Sequence, residues 1–111
     1  MTNSIADLYE AGCYLITGTN TTENHPVIAT FIKRAVTQRG ATLVLADPRD
    51  IDLAKFASVW LRHKPGTDIA WINGFINVIL REGLADETFI AERTENFDAV
   101  REAVKKYTPE Y

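Results

Sequence analysis

The sequence predicts an α/β fold: a three-layer, Rossmann-like βαβαβ arrangement in which a short parallel sheet is flanked by helices and followed by a helical C-terminus. Two observations carry that prediction. The apolar period switches repeatedly between strand-like and helix-like, and each short apolar run is separated from the next by a helical segment. At 111 residues there is room for one domain over residues 1–111, and 46% hydrophobic against 24% charged side chains suffice to fill a core.

The elements follow in order. Asn3 and Ser4 are placed to cap a short helix to about residue 11. Residues 13–17 form the first strand, with too little alternation to leave one face in water, so Cys13 is expected in the core. Gly18 ends it. Over residues 26–39, Ile28, Phe31, Ile32 and Ala35 recur at helical spacing, with Pro26 in the first turn and Gly40 as the stop. Residues 42–46 give the second strand, stopped by Asp47-Pro48-Arg49, and a short helix to about residue 57 leads to a third strand at 58–62. After the turn at Pro65-Gly66-Thr67-Asp68 a long helix runs to about residue 82, and shorter helical segments occupy about 86–93 and 96–107. Strands joined by helical crossovers run parallel; right-handed crossovers favour the order 3-2-1 and put the loops after all three strands on one sheet edge.

The long helix carries two apolar stripes. Ile69, Ile72, Ile76, Ile79 and Leu80 form one, and Trp71, Phe75 and Val78 form another, about 125° away at 100° per residue. One sheet cannot cover both. Either the C-terminal helices fold over the second stripe, or further chain packs there and the exposed patch favours self-association.

Several function classes drop out on composition. A net charge of -3 gives no broad electrostatic footprint for nucleic acid or an anionic membrane. The single cysteine, Cys13, forms neither an intrachain disulfide nor a thiolate metal cage, which suits a reducing, cytoplasmic setting. His25 and His63 are too few for a metal cluster, and acidic Asp7 and Glu10 stand where a signal peptide needs basic residues.

The three loops expected on the carboxyl edge each have a use for a nucleotide. Gly18 admits a close backbone approach, and Thr19, Asn20, Thr22 and Glu23 lead to the start of the Pro26 helix, a pattern suited to a diphosphate. Asp47 sits where an acidic side chain commonly binds ribose hydroxyls, and Arg49 offers charge to phosphate. Beside Gly66 and Thr67, the Asp68 carboxylate can accept two parallel hydrogen bonds from guanine, a donor pair that adenine does not present in that arrangement. Each feature also has a plain structural use: Thr22, Asn24 and Asp68 as helix caps, Asp47-Pro48 as a turn, Gly18 as a tight bend. The first loop is neither Gly-x-Gly-x-x-Gly nor a Walker loop.

Thr17-Gly18-Thr19-Asn20, His25-Pro26, Ala46-Asp47-Pro48-Arg49, Pro65-Gly66-Thr67-Asp68, Arg93-Thr94-Glu95-Asn96-Phe97 and Tyr107-Thr108-Pro109-Glu110 occur in that order over nearly the whole chain. Together they resemble a segment of the formate dehydrogenase alpha subunits in the molybdopterin oxidoreductase, or dimethyl sulfoxide reductase, family. The resemblance implies a fragment of a larger oxidoreductase that binds molybdopterin guanine dinucleotide, with molybdenum or tungsten carried by the parent enzyme and no metal bound by this chain. Its partner would be the remainder of the alpha subunit. Residues 18–23 would approach the pyrophosphate and ribose, Asp47 and Arg49 would hold the guanosine side, and Gly66, Thr67 and Asp68 would read the guanine. His25 matches the family's helix start as a packing or capping residue. One departure is Asp50, at a position often basic in relatives, where it would repel phosphate if it faced it.

The family's catalytic cysteine or selenocysteine, histidine and arginine have no counterpart here, so the chain is expected to bind cofactor without catalysing formate oxidation. Two other readings remain open: a non-catalytic interaction module using the Trp71, Phe75 and Val78 face, and a small enzyme using His25 or His63, for which no neighbouring nucleophile is evident.

Overall fold

Three short strands, β1 (Cys13–Thr17), β2 (Thr42–Ala46) and β3 (Val59–Leu61), build a parallel sheet in a computed structural model that describes residues 3–110. The sheet order is β1-β2-β3, the order expected from right-handed crossovers. The chain divides into two compact units, one ending at Lys64 and the other beginning at Pro65.

In the first unit, β1 leads through α1 (Thr21–Asn24) into α2 (Pro26–Arg39), and β2 leads through a 3-10 helix (Asp52–Phe56) into β3. Parallel register places Tyr14 beside Leu43, Ile16 beside Leu45 and Leu45 beside Trp60, so these side chains share one sheet face. That face meets Ile32 and Ala35 of α2, and Ile51 and Leu53 complete the core. Both ends of α2 form as the sequence dictates: Pro26 opens it and Gly40 closes it at φ 71°, with the Ala41 amide reaching back to the Ala35 carbonyl at 3.2 Å.

The short helix expected near the N-terminus forms as a 3-10 helix (Ala6–Glu10), and Ser4 stabilises its start. Its hydroxyl accepts from the Asp7 amide at 3.3 Å, while the Asp7 carboxylate accepts from the Ser4 amide at 3.0 Å. Strand β1 does leave one face in water: Cys13, Leu15 and Thr17 are exposed while Tyr14 is buried, so Cys13 is not a core residue. The physical reason is topological. As the edge strand, β1 has a single neighbour, β2, and the α2 core lies against its Tyr14 and Ile16 side.

The second unit is helical: α3 (Asp68–Arg81), α4 (Glu87–Arg93) and α5 (Phe97–Val104). Helix α5 packs against α3 through Asn77, whose Nδ2 donates to the Val104 carbonyl at 3.0 Å, and the Tyr107 carbonyl passes close to Gly74. On a helical wheel, Gly74 and Asn77 lie between the apolar stripes rather than on either. The C-terminal helices therefore leave part of both stripes uncovered: Phe75 of the aromatic stripe stays 40% exposed, and Ile72 and Ile69 of the other stripe 41% and 72%. Among the described residues, no helix is long and apolar enough to cross a membrane.

Candidate functional site

Register fixes what meets at the carboxyl edge of the sheet. Thr17 pairs with Ala46 and Ala46 with Leu61, so the chain leaves the sheet side by side at Gly18, Asp47 and Arg62. Gly18 turns at φ 66° into open space, a conformation that suits glycine because a Cβ is strained there. The turn delivers Thr19 and Asn20 to the start of α1, where Thr21 is buried and its hydroxyl lies 3.5 Å from that of Thr19. The Thr22 hydroxyl is also buried and has no hydrogen-bond partner among the described residues. His25 joins α1 to α2 and is exposed; its carbonyl accepts from the Ala29 amide at 3.0 Å, and its side chain makes no capping bond.

The second loop is built around Asp47, which is 1% exposed. One carboxylate oxygen accepts from the Arg49 amide at 2.8 Å and from Arg49 Nε at 3.0 Å, and the other accepts from Arg49 Nη2 at 3.0 Å. These bonds hold the Asp47 carboxyl below the usual carboxylate range, against the opposing effect of burial. Trp60 donates its indole N–H to the Asp47 carbonyl at 2.9 Å and so ties this loop to β3. The result is a guanidinium pinned by a buried carboxylate yet 61% exposed in its side chain. Glu23 lies close enough for its charge to act on Arg49, which places the first loop beside the second. Asp50 is exposed.

The first unit thus gathers Gly18, Thr19, Asn20, Thr22, Glu23, Asp47 and Arg49 at one edge. The remaining predicted residues open the second unit. There Gly66 adopts φ 81°, Thr67 is the N-cap of α3 and its side chain makes no capping bond to the helix, and Asp68 is exposed, its Oδ1 3.4 Å from the Trp71 indole nitrogen as acceptor. Asp68 is the first residue of α3 rather than its cap.

Because Asp47 spends its carboxylate on Arg49, the group this loop offers outward is the guanidinium. A delocalised cation held in a fixed fork suits a phosphate better than a ribose hydroxyl. Sequence reasoning missed Trp60. Its signal is a half-buried tryptophan in a strand, whose N–H needs an acceptor, but only the β2-β3 register identifies that acceptor as the Asp47 carbonyl. Among the described residues, no group of three or more His, Cys, Asp or Glu side chains is placed to hold a metal ion.

Residues 1–106 match the family model described as Molybdopterin oxidoreductase. The F420-dependent formate dehydrogenase subunit alpha of Methanocaldococcus jannaschii is 50% identical over 111 residues, which are 100% of this chain and 16% of that protein. Formate dehydrogenase H of Escherichia coli is 36% identical over 110 residues, covering 99% of this chain and 15% of its own length. Among solved structures, acetylene hydratase from Pelobacter acetylenicus superposes with a TM-score of 0.80 at 30% identity, over 94% of this chain and 16% of that one.

Proposed function

Because this chain belongs to the molybdopterin oxidoreductase family, we propose that it is the segment of a formate dehydrogenase alpha subunit that holds the guanosine diphosphate half of a molybdopterin guanine dinucleotide. The observation that carries this reading is Arg49: a cation anchored bidentately on buried Asp47, exposed, and beside the open Gly18 turn. The donor set fits a diphosphate. Arg49 supplies charge, Gly18 admits close approach, and Thr19, Asn20 and Thr22 offer short polar side chains. Glu23 is suited to accepting hydrogen bonds from ribose hydroxyls.

Gly66, Thr67 and Asp68 are assigned to the guanine, whose ring N–H and amino group match a carboxylate. When bound, the cofactor with its molybdenum or tungsten supplies the two-electron chemistry that converts formate to carbon dioxide and a proton. This chain's own residues bind and orient; none is assigned a catalytic role.

Amide NMR titration tests the assignment. GDP is expected to shift the signals of residues 18–24, Asp47, Thr67 and Asp68 at lower concentration than ADP does. Equal responses to the two nucleotides would remove the guanine assignment, and no response to either would remove the site. The exposure of Phe75 on α3 favours a second reading, an interaction surface centred on Trp71, Phe75 and Val78.

A further inference from the structure

The segment that follows β3 brings a second guanidinium to the edge where Arg49 stands. Leu45 pairs with Trp60 and Ala46 with Leu61, so Asp47 and Arg62 occupy the next row. Side chains alternate along a strand, so both continue the sheet face that holds Leu45 and Trp60. Two contacts support that placement. Trp60 donates its indole N–H to the Asp47 carbonyl at 2.9 Å, and the Arg62 guanidinium lies over the Trp60 ring, 4.9 Å from its centre. His63, the next residue, is close enough for its charge to act on the Asp47 carboxyl. Arg62, Trp60, Asp47 and Arg49 thus form one chain of contacts, all within the unit that ends at Lys64.

Arg62 is free to meet a ligand. Its side chain is exposed, and among the described residues no carboxylate holds it, whereas Arg39, Arg81 and Arg101 each lie against a glutamate. A stack on an aromatic ring occupies the plane of a guanidinium and leaves its N–H edge to donate. The surrounding charge gives that edge a use. Residues 18–24 contain no lysine or arginine, and Lys33 and Lys55 are both held on Asp52, at 2.6 and 3.1 Å. Arg49 is paired with Asp47 and has Glu23 nearby. A pyrophosphate carries negative charge on each of its phosphates, more than one carboxylate-paired guanidinium balances.

We propose that Arg62, set by its stack on Trp60, is a second phosphate-binding residue of this edge, meeting one phosphate of a guanosine diphosphate group while Arg49 meets the other. The proposal rests on the nucleotide reading above and adds to it a residue from the third strand's end.

Calorimetric titration of GDP into this chain at several salt concentrations, without divalent cations, is the test. Arg62→Gln is expected to weaken GDP binding about tenfold at low salt. It is also expected to flatten the salt dependence, because one fewer charge contact remains to be screened. Arg62→Lys keeps the charge and loses the planar fork, and is expected to weaken binding about threefold. Amide spectra check that the variants keep the fold. Wild-type affinity in both variants would overturn the proposal. So would weaker binding with an unchanged salt dependence, since a residue that only supports Trp60 leaves the charge contacts as they were. Arg49→Ala separates this proposal from the reading beneath it. GDP binding that falls in Arg49→Ala and not in Arg62→Gln removes Arg62 alone, whereas a wild-type chain that does not bind GDP removes the nucleotide reading and this proposal with it.

Discussion

At Asp47 a buried carboxylate and a solvent-facing guanidinium two residues later act as one rigid unit, and most of the site's behaviour follows from that pairing. Asp47→Asn removes charge-assisted bonds from a buried position and is expected to destabilise the chain by about 1–3 kcal/mol, toward the lower end because Arg49 is largely in water. Urea unfolding at neutral pH measures this. The pH dependence has a definite sign. The folded carboxyl titrates below its unfolded value of roughly 3.9, so its stabilisation is complete above that pH and disappears as pH falls through the lower folded value. The gap between wild type and Asp47→Asn is therefore expected to close in acid; a gap that widens there would contradict the assignment. The sequence places Asp47 at the end of β2 and Arg49 just beyond it. It does not disclose that the two bind each other, because an Asp-Pro-Arg turn leaves the carboxylate free to face either its own chain or a ligand until the backbone angles are set.

Elements were legible where local chemistry decides them. The span of α2 follows from Pro26, Gly40 and the Ile28, Ile32 and Ala35 spacing, and the β1 and β2 spans follow from their apolar runs. Gly40→Ala is expected to cost about 1 kcal/mol, since φ 71° is a left-handed conformation strained for alanine. Asp86 caps α4 by accepting from the Phe89 amide at 2.9 Å, and Asp86→Ala is expected to cost about 1 kcal/mol as well. Thermal melts of the two variants check both figures; no change in either would mean that these termini fray in the folded chain. The exposure of Cys13 and Leu15 was not legible, because an apolar run reads alike in an interior strand and in an edge strand. Nor did the pattern show which face of α3 receives α5. Apolar spacing favours the aromatic stripe, but close approach needs a small residue, and Gly74 with the hydrogen-bonding Asn77 provides it.

Over the whole molecule, apolar surface on α3 and the Arg49 and Arg62 edge of the sheet belong to separate units and make separate predictions. Replacing Phe75 and Val78 together with glutamine is expected to abolish self-association of this chain in sedimentation experiments while leaving its GDP response intact. An unchanged oligomeric state would remove that face as an interaction surface. The α/β class and parallel strand order were accessible from the alternation of periods, because crossover geometry leaves few topologies. The division of the candidate site was not. The first and second loops belong to one compact unit and the Gly66, Thr67 and Asp68 turn to the other, a boundary that no change of composition in the sequence marks.

Calorimetric titration of GDP into the wild-type chain and into Arg49→Ala bears most directly on the proposed phosphate contact. A charge-assisted bond to phosphate is worth about 1.5–3 kcal/mol, so the substitution is expected to weaken GDP binding by roughly tenfold or more. Wild-type affinity in Arg49→Ala, with the fold intact, would show that the guanidinium held by Asp47 does not meet the diphosphate.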